Sequence, residues 1–277
     1  MEYRLIASDL DETLLNDDHR VPDENVKWIQ KARLEKNIRF VPATGRGYMS
    51  IKPELTQLGL TDAENEYVLS FNGGSLTENK NNRIMRWQGL PFEKMKEIFE
   101  FGLKQDVCMH VYTNTTLYVW HLSDSERERL IAQRLEVTYP EEDSVDFLKD
   151  EMIAKILYQN VDVPYLMTLE PQMKDITEGH CAVSYSSNRY MEFNAIGVDK
   201  GKALHELAAM LDIPIEQTIA VGDNFNDMAM LEAAGLAVAA GNAVQEVKDA
   251  CDYTTKANNN EGVVAEVIRK FIFHEDI

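Results

Sequence analysis

The stretch Leu5-Ile6-Ala7-Ser8-Asp9-Leu10-Asp11-Glu12-Thr13 decides the reading of this chain. A short apolar strand runs into two carboxylates one residue apart. Like charges at that spacing repel, and neither can be buried without a partner. The pattern makes sense if a divalent cation sits between them and an anionic substrate arrives, one Asp acting as nucleophile and the other as proton donor. Taken alone, an Asp-x-Asp is more often a solvated strand end. A second acidic strand end changes that weighing: Thr218-Ile219-Ala220-Val221-Gly222-Asp223-Asn224-Phe225-Asn226-Asp227. Carboxylates delivered from the C-terminal ends of two strands are how an open parallel α/β sheet builds a site.

The bulk properties narrow the class. The chain has 277 residues, with 44% hydrophobic and 27% charged content, as in a soluble globular protein of one large domain or two modest ones. No apolar run approaches the roughly 18–20 residues that span a bilayer, and the N-terminal residues carry no secretory pattern. Cys108, Cys181 and Cys251 are widely spaced and lack metal-ligand spacing, which predicts reduced thiols and a cytoplasmic protein. The formal charge is −19. It argues against nucleic acid and anionic membrane partners, and it requires a site for an anionic ligand to supply its own positive charge.

The first 80 residues alternate strand and helix: strands at 3–8, 38–43 and 67–71, and helices from Pro22 to about Asn37 and through Ile51, Leu55 and Leu58. This rhythm predicts a parallel sheet with right-handed crossovers. From about 85 to 188 the texture changes to mixed strands and helices, with an acidic segment at 123–151 that reads as solvated surface. From about 190 the α/β rhythm returns. The expected architecture is α/β: a Rossmann-like parallel-sheet core of residues 1–84 and 189–277, and an inserted α+β cap of residues 85–188.

The strand ends carry Asp9-x-Asp11, Thr44-Gly45-Arg46, Asn72-Gly73-Gly74 and the Asp223 cluster, with Lys200 following Gly197-Val198-Asp199. Together they supply a nucleophile, a hydroxyl donor, a fixed cation and hard oxygen ligands. That set fits phosphoryl transfer, in which positioning and charge neutralisation do most of the catalysis. Each has an ordinary reading: a turn for Thr44-Gly45 and Asn72-Gly73, a solvated Lys200, a helix cap for Asp223. The ordinary readings hold singly but not for all of them in this order.

In these motifs the chain resembles the haloacid dehalogenase-like superfamily, and within it the Cof-type phosphatases with a large C2-type cap. Met230-Leu231-x-x-Ala234-Gly235, Gly241-Asn242-Ala243 and Asn258-x-x-x-Gly262-Val263 extend the likeness over nearly the whole length. The resemblance implies a phosphatase for small phosphorylated metabolites, with sugar phosphates the leading class, using an aspartyl-phosphate intermediate and Mg2+. It implies Asp9 as nucleophile, Asp11 as general acid and base, Thr44 as donor to the phosphoryl group, and Lys200 as the neutralising cation. Asp9, Asp223 and the Asp11 carbonyl would hold the metal, with Asp227 orienting its surroundings. Arg46, Asn72, Gly73, Asn226 and Asn258 would line the substrate side.

Some positions depart from the family pattern. Glu12 stands where Gly is usual, so its backbone must still turn while its side chain points outward. Pro42 fits only if its strand position needs no N–H donor. Gly74 and Ala240 touch no motif side chain. The resemblance further implies a cap that shields the site from water, where His110, His180 and Arg189 are candidate specificity residues, although surface or cap-core roles are commoner for such residues. A phosphomutase of the same superfamily and a non-catalytic phospho-ligand sensor are the alternatives. A monomer or homodimer is expected.

Overall fold

Every residue of Leu5–Ser8 is buried, so this strand packs on both faces, as the central strand of a parallel sheet does. The computed structural model describes residues 2–133 and 135–276. Contacts divide the chain into two units, residues 1–87 with 199–277, and residues 88–198.

The first unit begins β1 (Leu5–Ser8), α1 (Asp23–Lys36), β2 (Arg39–Pro42), α2 (Lys52–Leu58), β3 (Tyr67–Ser70), β4 (Ser75–Glu78) and β5 (Arg83–Trp87). The second unit runs α3 (Phe92–Gly102), β6 (Cys108–Thr113), β7 (Leu117–Trp120), α4 (Asp124–Ala132), β8 (Val137–Thr138), β9 (Ile153–Gln159), α5 (Val163–Leu169), α6 (Lys174–Thr177), β10 (Cys181–Ser186) and β11 (Tyr190–Ala195). The chain returns to the first unit with α7 (Lys200–Met210), β12 (Thr218–Gly222), α8 (Met228–Ala233), β13 (Leu236–Ala239), α9 (Gln245–Ala250), β14 (Tyr253–Thr254) and α10 (Val263–Val267).

The core sheet has the order β14-β13-β12-β1-β2, parallel throughout. β1 therefore lies between β12 and β2, and the loops after these three strands emerge side by side. Asp9 follows β1, Asp223 follows β12 and Thr44 lies just past β2. The amides of Arg39 and Ala43 donate to the β1 side, to Arg4 O and Ser8 O. Pro42 alternates with them and so faces away from that ladder, where its missing N–H costs nothing.

The expected third strand runs parallel beside the end of β2, but its pairing there is brief. β3 meets β2 through one parallel bridge, Ala43 to Leu69, and pairs antiparallel with β4, which pairs with β5. The β4–β5 hairpin turns through Asn81 and Asn82, both at positive φ, a conformation that Asn tolerates. β3 thus has a fully paired partner inside the hairpin sheet.

The second unit is α+β. Its sheet has the order β10-β11-β9-β6-β7-β8, antiparallel except between β7 and β8. Met95, Ile98 and Phe99 of α3 pack with Leu166 of α5 and with Met109, Ile156 and Phe193 of the sheet. Leu130 of α4 packs separately with Cys108, Leu117 and Val119. The expected boundary at 188/189 falls before β11, which pairs with both β10 and β9. Contacts carry the second unit on to Val198 for that reason. Among the described residues no helix is long and apolar enough to cross a membrane.

α7 and α8 approach at Gly201, where an added Cβ would lie 2.1 Å from the Ala229 carbonyl oxygen. Backbone cannot yield as a side-chain tip can. Gly201→Ala is therefore expected to destabilise the fold by about 1–3 kcal/mol. Thermal denaturation followed by circular dichroism measures this, and an unchanged Tm would mean that the two helices separate freely.

Candidate active site

Lys200 is the first residue of α7, with Asp199 as its N-cap accepting from Lys202 N at 2.7 Å. This start turns the Lys200 side chain wholly into the protein. A buried ammonium needs partners. It donates to Asp9 Oδ1 at 2.5 Å and Asp227 Oδ1 at 2.7 Å. The other Asp227 oxygen accepts from the Asp223 and Asn224 amides at 3.0 and 3.2 Å. Asp227 thereby braces Lys200 against the loop after β12.

Asp9, Asp223 and Asp227 are all buried, and each offers a carboxylate oxygen within 4.8 Å of the others'. Thr13 donates to Asp223 Oδ1 at 2.7 Å. Three carboxylates against one ammonium leave the pocket short of positive charge. Burial, then the field of Asp227, pushes the Asp9 carboxyl well above the usual carboxylate range, with Lys200 opposing. Burial raises Asp223 to about 7, against the lowering effect of the Thr13 hydrogen bond. For Lys200, burial alone would favour the neutral amine, but Asp9 and Asp227 outweigh it and the ammonium is held. Buried hard oxygens with surplus negative charge fit a divalent cation such as Mg2+. Asp9 and Asp223 have more ligand capacity to spare than Asp227, which already accepts three hydrogen bonds.

The Asp11 side chain lies outside this trio. It points to Arg46, whose Nε donates to Oδ2 at 2.9 Å and whose Nη2 donates to Oδ1. Arg46, expected on the substrate side, is thus a clamp on Asp11, and its Nη1 lies 3.6 Å from Glu54. Glu12 sits at φ 60°, exposed, with its carbonyl accepting from Asn242 at 2.7 Å, so the turn expected there is made without Gly.

Thr44 is buried just beyond β2, with its amide on Leu69 O at 2.8 Å and its Oγ1 accepting from Arg46 N at 3.0 Å. Asn72 joins the same loop: its amide donates to Thr44 O at 2.9 Å and its side-chain oxygen lies against Gly45. Gly73, expected to line the substrate side, has a packing task. At φ 93° its Cα packs on the Asp199 carbonyl, where a Cβ would stand 2.4 Å away, so it seats the start of α7. Asn226 is exposed in the turn before α8. Asn258 caps its own loop, its Oδ1 accepting from Asn260 N at 2.9 Å. Its neighbour Asn259 reaches the loop that follows β1, donating to Leu15 O at 3.2 Å.

In the second unit, His110 is buried 3.6 Å from Glu126, which also pairs with Arg189 at 3.2 Å. His180 is exposed. Thr13 and Asn242 were quoted within motifs but given no role, and Glu54 and Asn259 were not singled out. Glu54 left a signal of its own, a charge on the same helical face as Ile51, Leu55 and Leu58.

The parallel sheet, the inserted unit and this carboxylate-lysine site together are those of the haloacid dehalogenase-like hydrolases. The chain matches that family over residues 6–268 and belongs to it. It is 30% identical over 284 residues to phosphatase YwpJ of Bacillus subtilis (strain 168), covering 94% of this chain and 97% of the relative. It is 28% identical over 272 residues to the 5-amino-6-(5-phospho-D-ribitylamino)uracil phosphatase YcsE of the same organism, covering 98% and 97%. A crystal structure of a haloacid dehalogenase-like hydrolase from Bacteroides thetaiotaomicron superposes with a TM-score of 0.87 at 29% identity, covering 97% of this chain and 99% of that one.

The charge surplus has a measurable consequence. With its pKa raised, Asp223 contributes most to stability below the unfolded carboxylate value, and that contribution is lost as pH rises through about 7. A bound cation restores it only where the carboxylates are ionised. Saturating Mg2+ should therefore raise Tm more at about pH 8 than at about pH 5.5. Equal shifts at the two pH values would contradict a shared proton and metal site.

Proposed function

We propose that the protein is a Mg2+-dependent phosphatase that hydrolyses small phosphorylated metabolites through an aspartyl-phosphate on Asp9. The family match together with the phosphatase names of its relatives makes it a phosphoric monoester hydrolase. The observation that carries the mechanism is Lys200 held by Asp9 at one carboxylate oxygen. Oδ1 is fixed by the ammonium, which leaves Oδ2 to attack phosphorus. The new P–O bond to Asp9 forms as the ester P–O bond breaks, and Asp11 gives its proton to the leaving oxygen. Water then attacks the aspartyl-phosphate, Asp11 takes a proton from it, and phosphate leaves with Asp9 restored. Thr44 Oγ1 already accepts from Arg46 N, so its O–H is available to donate to a phosphoryl oxygen. Asp9, Asp223 and the Asp11 carbonyl would hold Mg2+, which neutralises charge on the transferring group.

The relatives support the substrate class. YcsE is named for a phosphorylated ribityl compound, and a ribityl phosphate is a sugar-alcohol phosphate. Sugar and polyol phosphates therefore lead the panel to test. Three free cysteines, two of them buried, suit a reducing cytoplasm.

The test is a hydrolysis screen over phosphorylated metabolites with Mg2+, read as released phosphate. Asp9→Asn should lower turnover by on the order of a thousandfold or more, and EDTA should stop the wild-type enzyme. Release of an isomerised sugar phosphate in place of phosphate would indicate a mutase. Full activity in Asp9→Asn, or in excess EDTA, would overturn the mechanism.

A further inference from the structure

The second unit has a groove of its own, about 260 Å³, where β6 begins, β7 and β9 end and α4 starts. That is larger than a single water needs and near the lower end of small-molecule sites. Gln159, the last residue of β9, forms part of its wall and is only 2% exposed. The Ser123 hydroxyl donates to Gln159 Oε1 at 2.9 Å and, as the N-cap of α4, accepts from Glu126 N at 3.2 Å. This fixes the carboxamide and leaves Gln159 Nε2 with no acceptor among the described residues. A nearly buried amide nitrogen that bonds nothing in the protein is held for something that enters the groove. Ser125 also lines the groove, with its Oγ 3.3 Å from Ser123 Oγ. Because the Ser123 proton is committed to Gln159, Ser125 donates across this contact and keeps lone pairs that can accept.

The wall selects its ligand by charge. Among the described residues it has no Lys or Arg, and His121 is turned to Asp143 at 3.0 Å. The first turn of α4 carries Asp124 and Glu126, which already answer the positive end of the helix dipole, and Asp106 adds a carboxylate. A phosphate or carboxylate would meet repulsion there. A divalent cation would need several carboxylates, and Asp106 is the only one lining the groove. What remains is donors and acceptors side by side, which a sugar hydroxyl matches because it is both. Val107 and Val161 supply apolar surface for the C–H face of such a molecule. We infer that this groove binds an uncharged polyhydroxyl compound, a sugar or polyol, with Gln159 Nε2 as donor and Ser125 and Asp106 as acceptors. Leu90 N donates to Ile153 O at the start of β9, whereas the groove lies at the other end, about 20 Å along the strand. The site is built wholly within the second unit and does not depend on the phosphatase reading.

An amide NMR titration of the full chain with ribitol, glucose and myo-inositol tests this, with inorganic phosphate as the charged control. At least one neutral probe should shift the Ser125 backbone amide and the Gln159 side-chain amide saturably, and phosphate should shift neither. Gln159→Met keeps the length of the side chain without the donor and should weaken binding of that probe by about fivefold to tenfold, read at Ser125. Ser125→Ala should weaken it by about threefold, read at Gln159, and serves if Gln159→Met does not fold. No saturable shift at these amides with any of the three probes, a saturable shift with phosphate, or an affinity unchanged in either folded variant would overturn the inference. Each of those results leaves the chemistry at Asp9 untouched.

Discussion

The site depends on one buried ammonium group. Lys200 is fully enclosed between Asp9 and Asp227, and its contacts join two strand ends to the start of a helix. Breaking such an arrangement by removing one partner leaves an uncompensated buried charge, which costs far more than the loss of a surface pair. The surroundings are arranged to keep it intact. Asp199 caps α7 one residue ahead of Lys200, Gly73 permits the close seating of that cap, and Asp227 is itself fixed by two backbone amides. Positioning of this kind is what phosphoryl transfer asks of a protein.

The same enclosure creates an imbalance. One ammonium faces three buried carboxylates, so protons or a divalent cation must make up the difference. Proton uptake would neutralise the groups that the reaction needs ionised. A cation leaves Asp9 charged while holding it near Asp223. Asp11 avoids the competition by lying outside the trio, under Arg46. The two carboxylates of the opening motif thus sit in different environments, as different chemical roles require.

Much of this was legible in the chain. β1 and β12 are short apolar runs ending in acidic loops, and their parallel pairing in register brings those loops together. The family motifs added the order in which the elements contribute. Other features were hidden for physical reasons. β3 reads as a parallel strand because its own residues are apolar, but the β4–β5 hairpin that claims its edge is encoded by Asn-rich turn residues of low specificity. β11 lies where the core rhythm was expected to resume, since alternation within a strand does not say which sheet it joins. That Arg46 meets Asp11 was hidden because sequence spacing carries no information about which carboxylate a long side chain meets. Asn258 and Asn259 are adjacent and chemically identical, and only the backbone path decides that the second reaches Leu15 O.

The central claim is that Asp9 takes the phosphoryl group. Acid quenching during turnover, followed by peptide mass spectrometry, tests it most directly. The account predicts a mass gain of one phosphoryl group on the peptide carrying Asp9, sensitive to hydroxylamine as an acyl phosphate is. Steady phosphate release with that peptide unmodified and another residue labelled would contradict it.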